Sequence, residues 1–197
     1  MILLGAVLIG LGVTFVRARL NGRKLKSLNI RIGWLVFLAV IPQLLSFQIP
    51  ATGKLIPEAF CPFILVGSQA VLLVFAAANI RQPGFWAMGL GLLANFTVIV
   101  LNGGWMPISP DTLRRMLPNL SPDSLITSQR LLLTKDWILP VSDTRLAWLS
   151  DQLTLPGLTV AFSVGDVLIA LGTFLLLWSL SDPSNSKPTS ITVTPDQ

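Results

Sequence analysis

Asp166 lies in the run Phe162-Ser163-Val164-Gly165-Asp166-Val167, the one acid deep inside a long apolar stretch. A carboxylate carried into hydrocarbon costs about 2.5–3.5 kcal/mol on insertion scales, so such a group turns toward protein or water. The chemistry open to it is that of a proton carrier, an ion ligand or a substrate anchor. The structural alternative is a cap on a neighbouring helix, or a bond to backbone amides near a membrane interface. A second candidate is the turn Asn102-Gly103-Gly104-Trp105-Met106-Pro107. Its glycines permit left-handed backbone, its proline stops a helix, and its free amides suit a carboxylate or phosphate. The Gly-x-x-x-x-Gly-Lys phosphate pattern is absent, so the turn reads first as structural. A direct pairing of Asn102 with Asp166 would satisfy both elements at once.

Other chemistry is excluded by composition. The chain has no histidine, no tyrosine and a single cysteine, Cys61. These absences remove Ser-His-Asp triads, His-ligated zinc and haem, Cys-x-x-Cys redox pairs and an internal disulfide. No metal site, cofactor or catalytic residue is expected, and a membrane enzyme ranks third among the readings. Its best acids would be Asp111, Asp123, Asp136, Asp143 and Asp151, which read as helix-start and surface residues. Gln43, Gln69, Asn79 and Asn95 are amides inside apolar runs, suited to interhelical hydrogen bonds, and Gly89 and Gly91 beside Ala94 suit close helix packing.

The elements that would position these groups are set by hydrophobicity. Of 197 residues, 52% are hydrophobic and 12% charged, with a mean hydropathy of +0.72. A charged fraction near half that of soluble domains points to an integral membrane protein. Apolar blocks at 1–16, 32–49, 59–80, 85–101 and 158–180 predict five spans. The first carries its positive charge after the apolar run, which argues against a signal peptide and for a span with its N-terminus outside. Between Arg17 and Arg31 stand Arg17, Arg19, Arg23, Lys24, Lys26 and Arg31 with no acid, the mark of a cytoplasmic loop. The same six residues could contact anionic lipid head groups. The net charge of +5 is read through this position, and no nucleic-acid partner is expected.

Residues 102–156 are polar yet studded with leucine and tryptophan. Ser109-Pro110-Asp111, Ser121-Pro122-Asp123 and Ser142-Asp143 each offer a helix start. Leu146, Leu149 and Leu153 then recur at helical spacing. The expected fold class is an all-α integral membrane bundle of about five transmembrane helices, with short amphipathic helices on the outer face. The divisions are residues 1–101 for the first four spans, 102–156 for the outer segment, 157–180 for the fifth span and 181–197 for a disordered cytoplasmic tail. The setting is the bacterial inner membrane, with the bilayer and other membrane subunits as partners.

Three runs carry a resemblance: Asn-Gly-Gly-Trp-Met-Pro-Ile-Ser-Pro at 102–110, Leu149-Ser150-Asp151, and Phe162-Ser163-Val164-Gly165-Asp166-Val167-Leu168-Ile169. Together they resemble an uncharacterised family of small bacterial polytopic membrane proteins, a domain of unknown function. Ser150 stands where that pattern would have glycine. The resemblance implies a bacterial inner-membrane protein, carries no activity, and singles out Asp151 and Asp166. Two functions are open: an accessory or scaffold subunit of a membrane assembly, and a small transporter or ligand- or ion-binding protein using Asp166 and the Asn102 turn. The first is preferred, because no metal cluster, activated nucleophile or cofactor motif is present.

Overall fold

Proline and glycine decide where the apolar runs become helices. In the computed structural model, which describes residues 2–22, 27–118 and 127–181, helix α1 spans Ile2–Leu20 and stops at Gly22, whose φ of +60° favours glycine. Helix α2, Trp34–Phe47, carries Pro42 inside it and is followed by the single turn α3, Pro50–Gly53. A 3₁₀ turn, Glu58–Phe60, leads into α4, Cys61–Ala78, with Pro62 in the first turn where its missing N–H costs nothing. Helix α5, Phe85–Leu101, begins after Gly84 at φ +82°. Strand β1, Met106–Ile108, and the short helix α6, Pro110–Met116, follow; Ser109 caps α6 by accepting from the Thr112 N–H. Strands β2, Gln129–Arg130, β3, Asp136–Ile138, β4, Leu153–Thr154, and β5, Ala161–Phe162, precede the last helix, α7, Val164–Ser179.

The long helices pack in the order α1, α7, α5, α4, α2, each against the next. The closest approach is between α5 and α7. A Cβ built on Gly91 would lie 2.4 Å from the carbonyl oxygen of Gly165, and one on Gly172 would lie 2.5 Å from that of Gly84. Backbone therefore meets backbone along this seam, with no side chain between. Gly89, on the same helix, faces the Ala76 Cβ at an ordinary 3.8 Å.

The five-span, all-helical expectation is overturned. Among the described residues only the continuous helix Glu58–Ala78 is long and apolar enough to cross a membrane, at 21 residues and a mean hydropathy of 2.1. Helices α2, α5 and α7 have 14, 17 and 16 residues. At about 1.5 Å per residue they reach roughly 21–26 Å, short of the roughly 30 Å hydrocarbon core. The run at 158–180 loses its first turn and a half because Gly157 turns the chain at φ +80° and Ala161–Phe162 pairs as a strand.

The segment after α5 is not a set of amphipathic helices either. Strands β1, β3 and β2 form a sheet in that order, β1 parallel and β2 antiparallel to β3, while β4 and β5 form a separate antiparallel pair. Pro107, Pro118, Pro140 and Pro156 interrupt the segment, and the one α-helix among its described residues, α6, lies between the first two of them. Of the three expected starts, Ser109 begins a helix, Ser142-Asp143 makes only a 3₁₀ turn, and Ser121-Pro122-Asp123 lies outside the described residues. Leu146, at φ +54°, precedes a second 3₁₀ turn containing Leu149, and Leu153 sits in β4. The tail from 182 onward, with the disorder expected of it, is likewise outside.

This sheet packs on the helices. Trp105 stacks on Trp137 at 5.3 Å, and the Arg130 guanidinium lies 5.2 Å from the Phe47 ring and 5.3 Å from that of Trp105. Arg130 also donates to the Ser46 carbonyl at the end of α2. Trp105 and Met106 share one buried cluster with Phe47, Leu65 and Ile99, while Ile108, Leu113 and Ile138 form another within the cap.

The α5–α7 seam gives the first test. Gly91→Ala drives a methyl into backbone and should cost about 1–3 kcal/mol of stability. Gly89→Ala has room and should gain about 0.5–1 kcal/mol from reduced chain entropy. Thermal unfolding of the two purified variants should move in opposite directions, and a shared direction would contradict the packing.

Candidate active cluster and cavities

Strand β1 brings the polar groups together by pairing on both edges. On one edge, Met106 stands opposite Asp136 of β3, and its N–H donates to the Lys135 carbonyl at 3.1 Å. On the other, Ile108 bridges to Asp151 in parallel, and the Asp151 N–H donates to the Pro107 carbonyl at 3.1 Å. Lys135-Asp136 and Asp151 therefore flank a single strand. The Lys135 ammonium spans the gap, donating to Asp136 Oδ1 at 3.0 Å and to Asp151 Oδ2 at 2.5 Å.

The neighbours of Asp151 are pinned. Ser150 donates to the Ala147 carbonyl. Gln152 Oε1 accepts from Ser109 and Thr112, and Arg115 donates to the Gln152 carbonyl at 2.9 Å. Asp151 itself is buried, its side chain 2% exposed, and its Oδ1 has no hydrogen-bond partner among the described residues. A buried carboxylate oxygen left without a donor costs more than a neutral group would, so this atom asks for a partner.

Asp166 approaches from the helices. It closes a capping box: Ser163 Oγ accepts from the Asp166 N–H at 3.0 Å, and Asp166 Oδ2 accepts from the Ser163 N–H at 3.1 Å. Asn95 of α5 completes the arrangement, donating to Asp166 Oδ1 at 2.9 Å and accepting from the Ser163 hydroxyl at 2.8 Å. The negative charge thus sits at the positive end of α7. Asp166 caps its own helix, because that helix starts at Val164.

Three cavities adjoin at Lys135. The first, about 390 Å³, lies between α2, α4, α5 and α7 with mostly apolar walls, including Leu72, Met88 and Leu92, and with Asn95, Lys135 and Asp166 at one end. The second, about 440 Å³, lies under the cap and is lined by Lys135, Asp136, Asp151, Phe162 and Asp166. The third, about 260 Å³, runs along the end of α2 past Gln43, Phe47 and Asp136. Lys135 lines all three, which is why its side chain stays 36% exposed although protein surrounds it.

The electrostatics follow from crowding. Burial alone would lower the Lys135 ammonium, but the charges of Asp136, Asp151 and Asp166 outweigh it and hold the group above the ordinary lysine range. Burial pushes the Asp151 carboxyl up to about 7, helped by the charges of Asp136 and Asp166 and opposed by Lys135. Near neutrality Asp151 is therefore partly protonated beside a lysine that stays charged.

The structure joins some of the residues singled out by sequence and separates others. Asp151 and Asp166 face the same cavity. Asn102 does not meet Asp166. It exchanges hydrogen bonds with the Arg145 backbone, both at 2.9 Å. Gly103 and Gly104 take φ of +75° and +86°, and a Cβ on Gly104 would lie 2.5 Å from that of Pro62. The turn joins α5 to β1, its Gly104 N–H donating to the Ile99 carbonyl at 2.8 Å and its Met106 N–H to the Lys135 carbonyl at 3.1 Å. Of the basic residues, Arg17 stacks over Trp178 at 4.2 Å, Arg19 ends α1, and the Arg31 N–H donates to Asn79 Oδ1 at 2.8 Å. Arg23, Lys24 and Lys26 lie outside the described residues. Lys135, Asp136, Asn95 and Ser163 escaped the sequence reading as site residues. The signal available was Lys135-Asp136 set between Leu131-Leu132-Leu133 and Trp137-Ile138-Leu139, a charged pair enclosed by apolar runs.

With this geometry in hand, the comparisons with known proteins define a class. The chain belongs to DUF5317, a family of unknown function, which it matches over residues 27–178. It is 31% identical over 131 residues to an uncharacterised protein of Thermotoga maritima, a match covering 66% of this chain and 70% of that protein. The uncharacterised bacterial family suggested by the sequence is thereby established. No solved structure matches the chain.

Asp151 sets a pH dependence whose sign can be fixed. Its carboxyl binds a proton more tightly in the folded chain, at about 7, than at its ordinary 3.8. Its contribution to stability is therefore full below the ordinary value and is lost as pH rises through the folded one. The thermal midpoint of the wild type should fall between about pH 5 and pH 8 relative to that of Asp151→Asn. Parallel profiles for the two proteins would remove Asp151 as the titrating group.

Proposed function

We propose that this protein is a membrane-embedded binding protein that holds a small molecule with an apolar body between α2, α4, α5 and α7. The observation that carries the reading is the cavity of about 390 Å³, apolar along its walls and closed at one end by Lys135, Asp166 and Asn95. Its size lies within the range of small-molecule sites, and an apolar chamber with a few convergent polar groups is their usual form. A cluster kept only for stability has no use for three acids around one lysine, since a buried ion pair is seldom better than an apolar replacement.

The membrane setting is supported by the outer surface of the helices. Phe15, Phe37, Phe63, Trp86 and Leu90 are all exposed, on α1, α2, α4 and α5. So large an apolar exterior calls for lipid or an apolar partner. Arg17 and Arg31 lie at the end of the helices away from the Lys135 cluster. Arg17 contacts the last turn of α7, Arg31 is bonded to Asn79 at the end of α4, and Gln82 donates to the Asn29 carbonyl beside it. In the bacterial inner membrane this end would face the cytoplasm, with Arg17, Arg19 and Arg31 near lipid phosphates.

The test is native mass spectrometry of the full chain, gently solubilised from its own membranes. The wild type should partition with membranes resistant to alkaline carbonate and carry a small molecule in stoichiometric amount. Leu72→Trp, which fills the cavity, should remain folded by circular dichroism and lose that molecule. An empty wild type that co-purifies with a stoichiometric protein would instead favour the accessory-subunit reading.

A further inference from the structure

Two residues that line these cavities, Asp151 and Gln69, each hold a buried side-chain oxygen, Oδ1 and Oε1, with no hydrogen-bond partner among the described residues. Both are acceptors. Among the described residues the only cation on the walls of these three cavities, Lys135, is already shared: it donates to Asp136 and Asp151 and lies within the field of Asp166. With Asp136, Asp166 and a partly ionised Asp151 around one ammonium, the polar end carries an excess of negative charge, and a bound cation would draw Asp151 fully into its ionised form. An anionic head group would meet that excess without an unclaimed donor to hold it. A neutral hydroxyl could satisfy one acceptor but would leave the charge uncompensated. A head group with several N–H donors and a positive charge meets both demands.

We infer that the ligand is an organic ammonium: its N–H groups donate to Asp151 Oδ1, its charge offsets the Asp136–Asp151–Asp166 cluster, and its apolar body extends along Ile169 into the chamber between the helices. Ile169, Lys135 and Asp166 line both the chamber and the space under the cap, so one molecule can reach from Asp151 to the apolar walls. This assignment rests on the binding reading above and names the class of ligand it takes. Selectivity arises because each acceptor is fixed before binding. Asp151 is held at its backbone by the Pro107 carbonyl, and Asp166 by the capping box and Asn95.

The test uses the full-length chain in lipid nanodiscs and three probes with one apolar cage: 1-adamantylamine, 1-adamantanol and adamantane-1-carboxylate. Calorimetric titration should give the amine an affinity at least about tenfold above the alcohol, with the carboxylate weakest. Asp151→Asn should abolish the amine's advantage, lowering the amine-to-alcohol affinity ratio from at least about ten to about one whatever it does to the alcohol itself. Should that variant fail to fold, the three-probe comparison on the wild type decides alone. Equal or tighter binding of the alcohol or the carboxylate overturns the ammonium assignment and leaves the cavity reading standing. Binding of none of the three, with Leu72→Trp indistinguishable from wild type, overturns both.

Discussion

A lysine shared among carboxylates on either side of one strand is the interaction that organises this molecule. Strand β1 is three residues long, yet it is hydrogen-bonded on both edges, and those bonds hold Lys135-Asp136 and Asp151 close enough for one ammonium to serve both. The arrangement is one-sided. Removing Lys135 would leave carboxylates facing one another in a poorly hydrated space, which costs far more than the net worth of the pair it makes. The surrounding network is accordingly stiff, with Ser109, Thr112, Arg115 and Gln152 fixing the chain on either side of Asp151. At Asp151 itself, burial strips the water that would stabilise its charge, and Asp136 and Asp166 repel it, so the carboxyl holds its proton more tightly despite Lys135.

The helices supply the other half of the site through a contact that depends on missing side chains. Gly84, Gly91, Gly165 and Gly172 let α5 and α7 approach until backbone meets backbone. That distance is what allows Asn95 to reach Asp166 and Ser163 at once. A wider spacing would leave Asp166 capping its helix but would detach it from α5, and the chamber would lose its polar end. Packing and electrostatics are thus one constraint here: the seam that stabilises the helices also sets where the third carboxylate sits.

Parts of this were legible in the sequence. Hydropathy located the apolar runs, and Gly84, Pro62 and the Ser109-Pro110-Asp111 start acted locally as glycine, proline and a capping serine do. Asp166 stands out as an acid inside an apolar run, whereas Asp151 reads as an ordinary surface acid and is singled out only by the family resemblance. What could not be read was anything set by long-range pairing. Strands of two or three residues leave no period-2 pattern to detect, so the sheet around β1 was invisible, and with it the meeting of Lys135 and Asp151 across 16 positions. Asn95 read correctly as an amide inside an apolar run, but its partner depended on where α7 begins. The sequence reading placed that start near residue 158, and Gly157 together with the Ala161–Phe162 strand moved it to Val164. Six residues of displacement turned Asp166 from a buried mid-helix charge into a cap.

That displacement also explains how a chain so apolar can hold so polar a centre. Had α7 run through Asp166, the carboxylate would have stood among hydrocarbon with its backbone amide already used, and its cost would have fallen on the helix itself. With Ser163 as its cap, the helix turns the Ser163 N–H onto Asp166 Oδ2 and the Asp166 N–H onto the Ser163 hydroxyl, while Asn95 donates to Asp166 Oδ1. Asp166 is thereby solvated by protein. Asp151 is not, because the side-chain donor it has among the described residues is the lysine, on Oδ2, and its other oxygen is buried without a donor. The two acids stand in the same cavity with opposite degrees of satisfaction, and that asymmetry points to Asp151, the less satisfied of the two, as the group a bound molecule would complete.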